Sequence, residues 1–309
     1  MGSIGLNLRL STSARIVPFL HKPSLKPTMR ICLSDKAITN LIAEDVPYFD
    51  LTTLGLGIGK EQGKIEFYTR HPMTVCATEE AVRVMQQCGA TAHFSVESGT
   101  HLEADQLILA ATGSAESLHI AWRIALNLLE YTSGIATRTN EFVKAAKTVN
   151  PAISVVTTRK VFPGTRALMM KAIVAGGALP HRLGLSESIL IFKQHLVYMG
   201  GLSGLLEQIT PLKQRFQEHK ICIEVETVED ALVVAASGVD IIQLDKMSMG
   251  TLKELAQNLK QQYPDIKLAA AGGITLNNVQ EYAATGVDLL VTSSLYFGKP
   301  ADIAAKMSS

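Results

Sequence analysis

The sequence predicts an α/β protein in which a mixed α+β segment is followed by an α/β barrel, and three observations carry that reading. After Ala136 the chain settles into a repeat of about twenty to thirty residues, strand-like runs alternating with helical ones. The runs "AISVVTTRK", "SILIFKQ", "KICIEVET", "VDIIQLDK", "IKLAAAGG" and "VDLLVTSS" are short and mostly rich in Val, Ile and Leu, as strands buried in a parallel sheet are. Each run also ends in polar residues or glycine: Arg159-Lys160, Lys193, Glu224 and Glu226, Asp245, Gly272-Gly273, Ser293-Ser294. Barrels gather their sites at the C-terminal ends of their strands. An open doubly wound sheet uses the same ends, so the third observation favours the barrel without excluding the sheet.

The elements follow in order. Residues 1–30 carry Arg9, Arg15, Lys22, Lys26 and Arg30, several serines, and no acid before Asp35. That composition suits an organelle transit peptide. The plainer expectation is an upstream start codon with Met29 as the true beginning, and on either reading the segment is expected to be poorly ordered. "KIEFYTR" (64–70) alternates and reads as a strand, and "TEEAVRVMQQCG" (78–89) as a helix ended by Gly89. "AESLHIAWRIALNLLEYTSG" (115–134) reads as a long helix stopped by Gly134. "LGLGIGK" (54–60) lacks the Walker spacing and reads as a turn-rich loop. Beyond Ala136, "GTRALMMKAIVA", "VEDALVVAASG", "TLKELAQNLKQQY" and "TLNNVQEYAATG" supply helices between the strands.

Composition removes several classes of function. The chain has 309 residues, is 47% hydrophobic and 18% charged, and carries a net charge of +1. Such a balance gives no global field for nucleic acid, so anion binding must come from a local cluster. No apolar run approaches the roughly 20 residues of a membrane span. Cys32, Cys76, Cys88 and Cys222 are scattered without a C-x-x-C pair, which argues against zinc and for a reduced, cytoplasmic compartment.

The candidate site is a divided one. Arg159 and Lys160 close a strand ahead of the turn Phe162-Pro163-Gly164, and His181-Arg182 forms a second cationic pair after the next element. Arg offers a bidentate fork and Lys a point charge to phosphate or carboxylate. Arg123 lies at the polar edge of the long helix. Opposite stand Glu224 and Glu226, on one face because strand period is two, and Asp245 at the next strand end. "AAGGIT" leading into "TLNNV" reads as a glycine turn into a helix N-terminus, a place that attracts phosphate. Cations on one side and carboxylates on the other suit a substrate with phosphates, a metal and carboxylate groups. Structural salt bridges across the mouth are the plainer alternative.

Taken together, "DLTT" (50–53), "SGIAT" (133–137), "TRK..PG" (158–164), "GG...HRLGL" (176–185), "IEVE" (223–226), "LDKM" (244–247) and "GGI" (272–274) resemble the quinolinate phosphoribosyltransferase family, the nicotinate-nucleotide pyrophosphorylases. "EDVPYFDLTT", "TTRKVFPGT", "PHRLGLSESILIF" and "YFGKPADI" are similar to the branch linked to molybdenum-transport operons and called ModD. The resemblance implies an N-terminal α/β sandwich over 29–125, an incomplete parallel α/β barrel over 126–295, and a tail, 296–309, packing back on the sandwich. It implies a homodimer whose sandwich covers the partner's barrel. It also implies a reaction with phosphoribosyl pyrophosphate and Mg2+, in which a ring nitrogen of a small carboxylated heterocycle attacks the ribose and releases pyrophosphate. By the same likeness, Arg123, Arg159, His181 and Arg182, with Lys193, hold the acceptor, and Arg70 reaches the site across the dimer. Lys160 holds the pyrophosphate-bearing substrate, Glu224 and Asp245 its ribose and metal, and Gly272, Gly273 and Ser293 its 5′-phosphate. The departures are Phe192 where the family has lysine, Gln194 for asparagine, Lys246 after Leu244-Asp245, Ala271 before the glycine pair, and Thr157. They leave phosphoribosyl transfer as the leading expectation. Decarboxylating quinolinate transfer for NAD biosynthesis and a non-catalytic anion binder linked to molybdate uptake remain as alternatives.

Overall fold

The computed structural model describes residues 31–309; the extension expected over 1–28 lies outside the described residues. Helix α1 (Asp35–Asp45) starts at Ser34, whose hydroxyl accepts from the Ala37 N–H, and α2 (Leu51–Leu56) starts at Asp50. The Asp50 carboxylate accepts from the N–H groups of Thr52 and Thr53 and from the Thr53 hydroxyl, so "DLTT" is a helix-capping motif. The loop expected over 54–60 is therefore helical at its start, and left-handed Gly57 ends the helix.

There follow β1 (Gln62–Thr69), the two-residue β2 (Met73–Thr74), α3 (Thr78–Gln87), β3 (Thr91–Ser95), the two-residue β4 (His101–Leu102) and β5 (Leu107–Ser114). Helix α4 then runs from Ala115 to Val149, capped by Ser114. It does not stop at Gly134. A Cβ there would sit 2.8 Å from the Lys299 carbonyl oxygen and 2.9 Å from the Ala301 nitrogen. This glycine lets the C-terminal segment cross close over the helix. Because α4 runs unbroken past residue 125, the sandwich and the barrel share one helix.

The barrel units are β6 (Ser154–Thr157), α5 (Arg166–Ala175), β7 (Leu179–Pro180), β8 (Ile189–Ile191), α6 (Lys193–Leu196), α7 (Gly201–Arg215), β9 (Ile221–Val225) and α8 (Val228–Ala236). They continue with β10 (Ile241–Asp245), α9 (Met249–Gln262), β11 (Lys267–Ala271), α10 (Val279–Ala283) and β12 (Leu289–Thr292), and β13 (Ile303–Ser308) closes the chain. Strands β13, β1, β5 and β3 form an antiparallel sheet in that order, with β13 pairing Ile303–Ser308 against Thr69–Lys64 of β1. Seven parallel strands, in the order β7-β6-β12-β11-β10-β9-β8, form the second sheet, and its two ends do not pair. The fold is thus an α/β sandwich and an incomplete parallel barrel.

One core runs through both parts, from Phe67, Ile108 and Leu109 to Phe142, Ile173, Ile223, Leu244 and Leu290. A smaller cluster, Val156, Ala269, Ala271 and Val291, fills the barrel interior beneath the strand ends. Lys171 of α5 is buried against Glu79 (2.8 Å) and Glu80 (2.5 Å) of α3, fastening barrel to sandwich. A buried charge of this kind is tolerated only when paired. Among the described residues no helix is long and apolar enough to cross a membrane.

Candidate active site

The parallel sheet opens at its C-terminal edge into a cleft of 860 Å³. Strand parity decides what faces it. Register pairs Glu224 with Gln243 and Asp245 with Ala271, so Leu190, Phe192, Glu224, Glu226, Gln243, Asp245, Ala271, Val291 and Ser293 point inward together. Arg159, Lys160, His181 and Arg182 enter from the loops after β6 and β7. Tyr296 anchors that side, its hydroxyl donating to Thr157 Oγ1 (2.8 Å) and to the Thr158 carbonyl (3.2 Å).

Ten of the twelve residues given site roles by the resemblance line this cleft: Arg159, Lys160, His181, Arg182, Lys193, Glu224, Asp245, Gly272, Gly273 and Ser293. Two do not. Arg123 is exposed on the sandwich half of α4, its guanidinium 4.8 Å from the Trp122 ring. Arg70 follows β1 and pairs with Asp302 at 3.1 Å. A cleft role for either requires a second copy of the chain.

The cationic side is open. Arg159, Lys160 and Arg182 have no ion-pair partner among the described residues. Burial and the charge of Arg159 both hold Arg182 below the usual guanidinium value, although arginine stays charged. Burial, then Arg182, lowers His181, which favours the neutral imidazole, and its buried Nδ1 has no partner among the described residues.

The acidic side is braced. Burial and the neighbouring Asp245 charge raise Glu224 above the usual carboxylate range, against a hydrogen bond from Gln243 Nε2 and the charge of Lys246. Lys193 reaches Glu226 at 2.7 Å, which raises the lysine and lowers the glutamate. Lys246 lies 3.3 Å from Asp245. Its backbone is left-handed (φ +55°), an uncommon conformation for lysine that concentrates at functional positions. The stem of Lys246 packs on Gly272, where a Cβ would approach its Cγ to 2.5 Å, so this position requires glycine.

Gly272 and Gly273 are both left-handed (φ +89° and +72°), a backbone that favours glycine, and both line the cleft. The expected helix N-terminus is not there. Helix α10 begins only at Val279 and spans five residues. Asn278 instead ties the loop, accepting from Thr275 N and donating to the Gly273 carbonyl. Thr275 offers Asn278 a local partner that competes with helical continuation.

Sequence reasoning missed Gln243. It is 4% exposed, donates to Glu224, and leaves its Oε1 buried without a partner among the described residues. Its only signal was a polar residue at an inward parity inside the apolar run "IIQLD". The strand expected to reach Lys193 ends at Ile191. Phe192 starts α6, its N–H donating to His195 Nδ1 at 3.0 Å, and this turn swings Lys193 to Glu226.

With this geometry in place, the comparisons with known proteins are specific. Residues 50–133 match the model of the quinolinate phosphoribosyl transferase N-terminal domain, and residues 135–306 match that of its C-terminal domain. The chain belongs to the quinolinate phosphoribosyl transferase family. It is a phosphoribosyltransferase of that family, and so a pentosyltransferase enzyme. It is 42% identical over 248 residues to "Putative pyrophosphorylase ModD" of Rhodobacter capsulatus, covering 80% of this chain and 94% of that one. It is 31% identical over 264 residues to "Probable nicotinate-nucleotide pyrophosphorylase" of Synechocystis sp., covering 84% and 87%. The crystal structure of NadC from Streptococcus pyogenes superposes with a TM-score of 0.81 at 25% identity, covering 89% of this chain and 96% of that one. The family's two-domain architecture therefore accounts for the fold.

Proposed function

We propose that the cleft transfers the phosphoribosyl group of phosphoribosyl pyrophosphate to a ring nitrogen of a small carboxylated heterocycle. The new bond joins that nitrogen to ribose C1. The C1–O bond to pyrophosphate breaks, and its electron pair leaves with pyrophosphate. The observation that carries this reading is the divided charge: three cations without an ion-pair partner among the described residues face three carboxylates and a two-glycine turn across one cleft.

Each part has a task. Arg159 and Arg182 hold the acceptor carboxylate, beside His181. Lys160 takes the pyrophosphate, and the turn of Gly272-Gly273 with Ser293 takes the 5′-phosphate. Glu224 and Asp245 face the ribose, where positive charge grows as the C1–O bond lengthens, and fixed carboxylates stabilise it without reorganising. The same two carboxylates fit Mg2+, a hard cation that takes one or two carboxylates and completes its shell with phosphate and water. Burial, then the Asp245 charge, raises Glu224, and a cation between the two carboxylates offsets both. When bound, Mg2+ neutralises charge on the leaving pyrophosphate.

A homodimer belongs to this reading. Tyr48, Phe49, Leu51, Leu54 and Leu56 form an exposed apolar stretch, of the kind that marks protein contacts. Packed on a partner's barrel, the sandwich brings Arg70 and Arg123 toward a cleft that lacks them in its own chain.

The experiment is pyrophosphate release from phosphoribosyl pyrophosphate and Mg2+ with a panel of pyridine and imidazole carboxylates. Release with at least one acceptor is expected, and silence with all of them overturns the reading. Carbon dioxide release from quinolinate separates the decarboxylating form. Phosphoribosyl pyrophosphate binding without turnover identifies a binder instead.

A further inference from the structure

We infer that Lys246 is a resident counter-cation of the acidic half, whose ammonium holds Asp245 against a divalent cation in the substrate-free protein. The inference deepens the reading of Glu224 and Asp245 given above and rests on it. Asp245 is the last residue of β10, and Lys246 is the first beyond it. The Lys246 ammonium lies 3.3 Å from the Asp245 carboxylate. No other ion pair among the described residues involves Asp245. The lysine charge also reaches Glu224, where it opposes the burial and the Asp245 charge that raise that carboxylate. At Glu226 it adds to the hold of Lys193.

The fold builds this placement. At φ +55° the backbone of Lys246 is one that asparagine, aspartate and histidine adopt more readily than lysine. What lysine adds at such a position is an ammonium on a long stem. Both ends of the stem's base are held. The Lys246 N–H donates to the Ala271 carbonyl at 2.8 Å, and the stem lies over Gly272. A Cβ on Gly272 would come within 2.5 Å of Lys246 Cγ and 2.9 Å of Asp245 Oδ1, so this glycine seats stem and carboxylate side by side. Tyr282 fastens the turn beneath them, its hydroxyl donating to the Gly272 carbonyl at 3.3 Å. The lysine side chain is 75% exposed and that of Asp245 only 14%, so an ion approaching the carboxylate from solvent meets the ammonium beside it. The ion must displace that charge or share the carboxylate with it, and like charges so close repel. A surface lysine is ordinarily free to swing away from its partner. Here the seated stem limits how far the ammonium can withdraw.

The test is titration of the full chain, without substrate, with Mn2+, a divalent probe whose free form is read by electron paramagnetic resonance. Lys246→Met keeps most of the stem, removes the charge and adds no oxygen ligand. It is expected to hold Mn2+ about tenfold or more tightly than wild type does. Lys246→Arg keeps the charge and is expected to stay as weak as wild type. Asp245→Asn added to Lys246→Met is expected to abolish the gain, which locates the ion. The other cations of the cleft, including Lys193 and, in the proposed homodimer, Arg70 and Arg123, are the same in every variant, so the comparison isolates Lys246. Equal Mn2+ affinity in wild type and Lys246→Met, no measurable binding by either, an equal gain in Lys246→Arg, or a gain that survives Asp245→Asn overturns the inference. Matching circular dichroism and Tm across the proteins removes misfolding as the cause. Pyrophosphate release from phosphoribosyl pyrophosphate and Mg2+, measured on the same wild-type preparation, reports the transfer reading separately. Silence there with the Mn2+ pattern intact removes transfer and leaves the counter-cation standing, and release without that pattern does the reverse.

Discussion

On the half of the cleft built after β6 and β7, Arg159, Lys160 and Arg182 stand without carboxylate partners among the described residues. On the half built by β9 and β10, every carboxylate is engaged: Glu224 by Gln243, Glu226 by Lys193, Asp245 by Lys246. Like charges near one another are costly, and among the described residues no ion pair compensates Arg159 or Arg182. The difference teaches which half receives charge from the ligand and which half is arranged before it arrives. Substitutions should therefore affect binding on the cationic half and chemistry on the acidic half.

The largest effect is expected on the open side. Arg159→Ala and Arg182→Ala each remove a charge-assisted hydrogen bond to the anion, about 1.5–3 kcal/mol, and so roughly ten- to a hundred-fold in kcat/KM. The loss should sit mainly in KM for the acceptor, with KM for phosphoribosyl pyrophosphate little changed. Steady-state kinetics varying each substrate in turn checks this. A loss confined to kcat would place these arginines at the reacting bond instead.

A smaller effect, of a different kind, is expected from Gln243→Leu. Glu224 acts as its carboxylate, and burial with the Asp245 charge raises it. Activity therefore falls as pH drops through that raised value, giving an acid limb above the ordinary glutamate range. The Gln243 hydrogen bond works in the opposite direction, so removing it moves the limb to still higher pH. The kcat/KM profile between about pH 4 and 8 is the measurement. An unmoved limb, with kcat lowered equally at all pH values, would show that Gln243 only fills space.

How much of this was legible beforehand depended on whether a signal was local. The barrel strands were readable because their apolar runs and polar ends repeat; parity put Glu224 and Glu226 on one face, and the next strand end put Asp245 beside them. Gly134 and Gly272 could not be told apart in sequence. The first admits a crossing segment in mid-helix, and the second admits the stem of Lys246 at a turn. Both contacts join residues remote in sequence. Gln243 was hidden because an amide inside an apolar strand looks like filler until register sets it beside Glu224. The short α10 was overcalled because "TLNNV" carries helix-start residues whose side chains here close a loop.

The smallest effect is expected at Lys193, and it sharpens the comparison because this residue is a cation of the cleft that behaves like the acidic half. Its ammonium is 64% exposed and already holds Glu226, itself 47% exposed. An exposed pair of this kind is worth about 0–1 kcal/mol and weakens with salt. Lys193→Met should therefore change kcat/KM by no more than roughly fivefold at moderate ionic strength, with little change in Tm. Glu226→Gln should behave the same way, and the double variant should match either single one, since both remove one interaction. A loss as large as that of Arg182→Ala, found for Lys193→Met but not for Glu226→Gln, would mean that Lys193 leaves Glu226 for the ligand. The cationic half would then extend past Phe192.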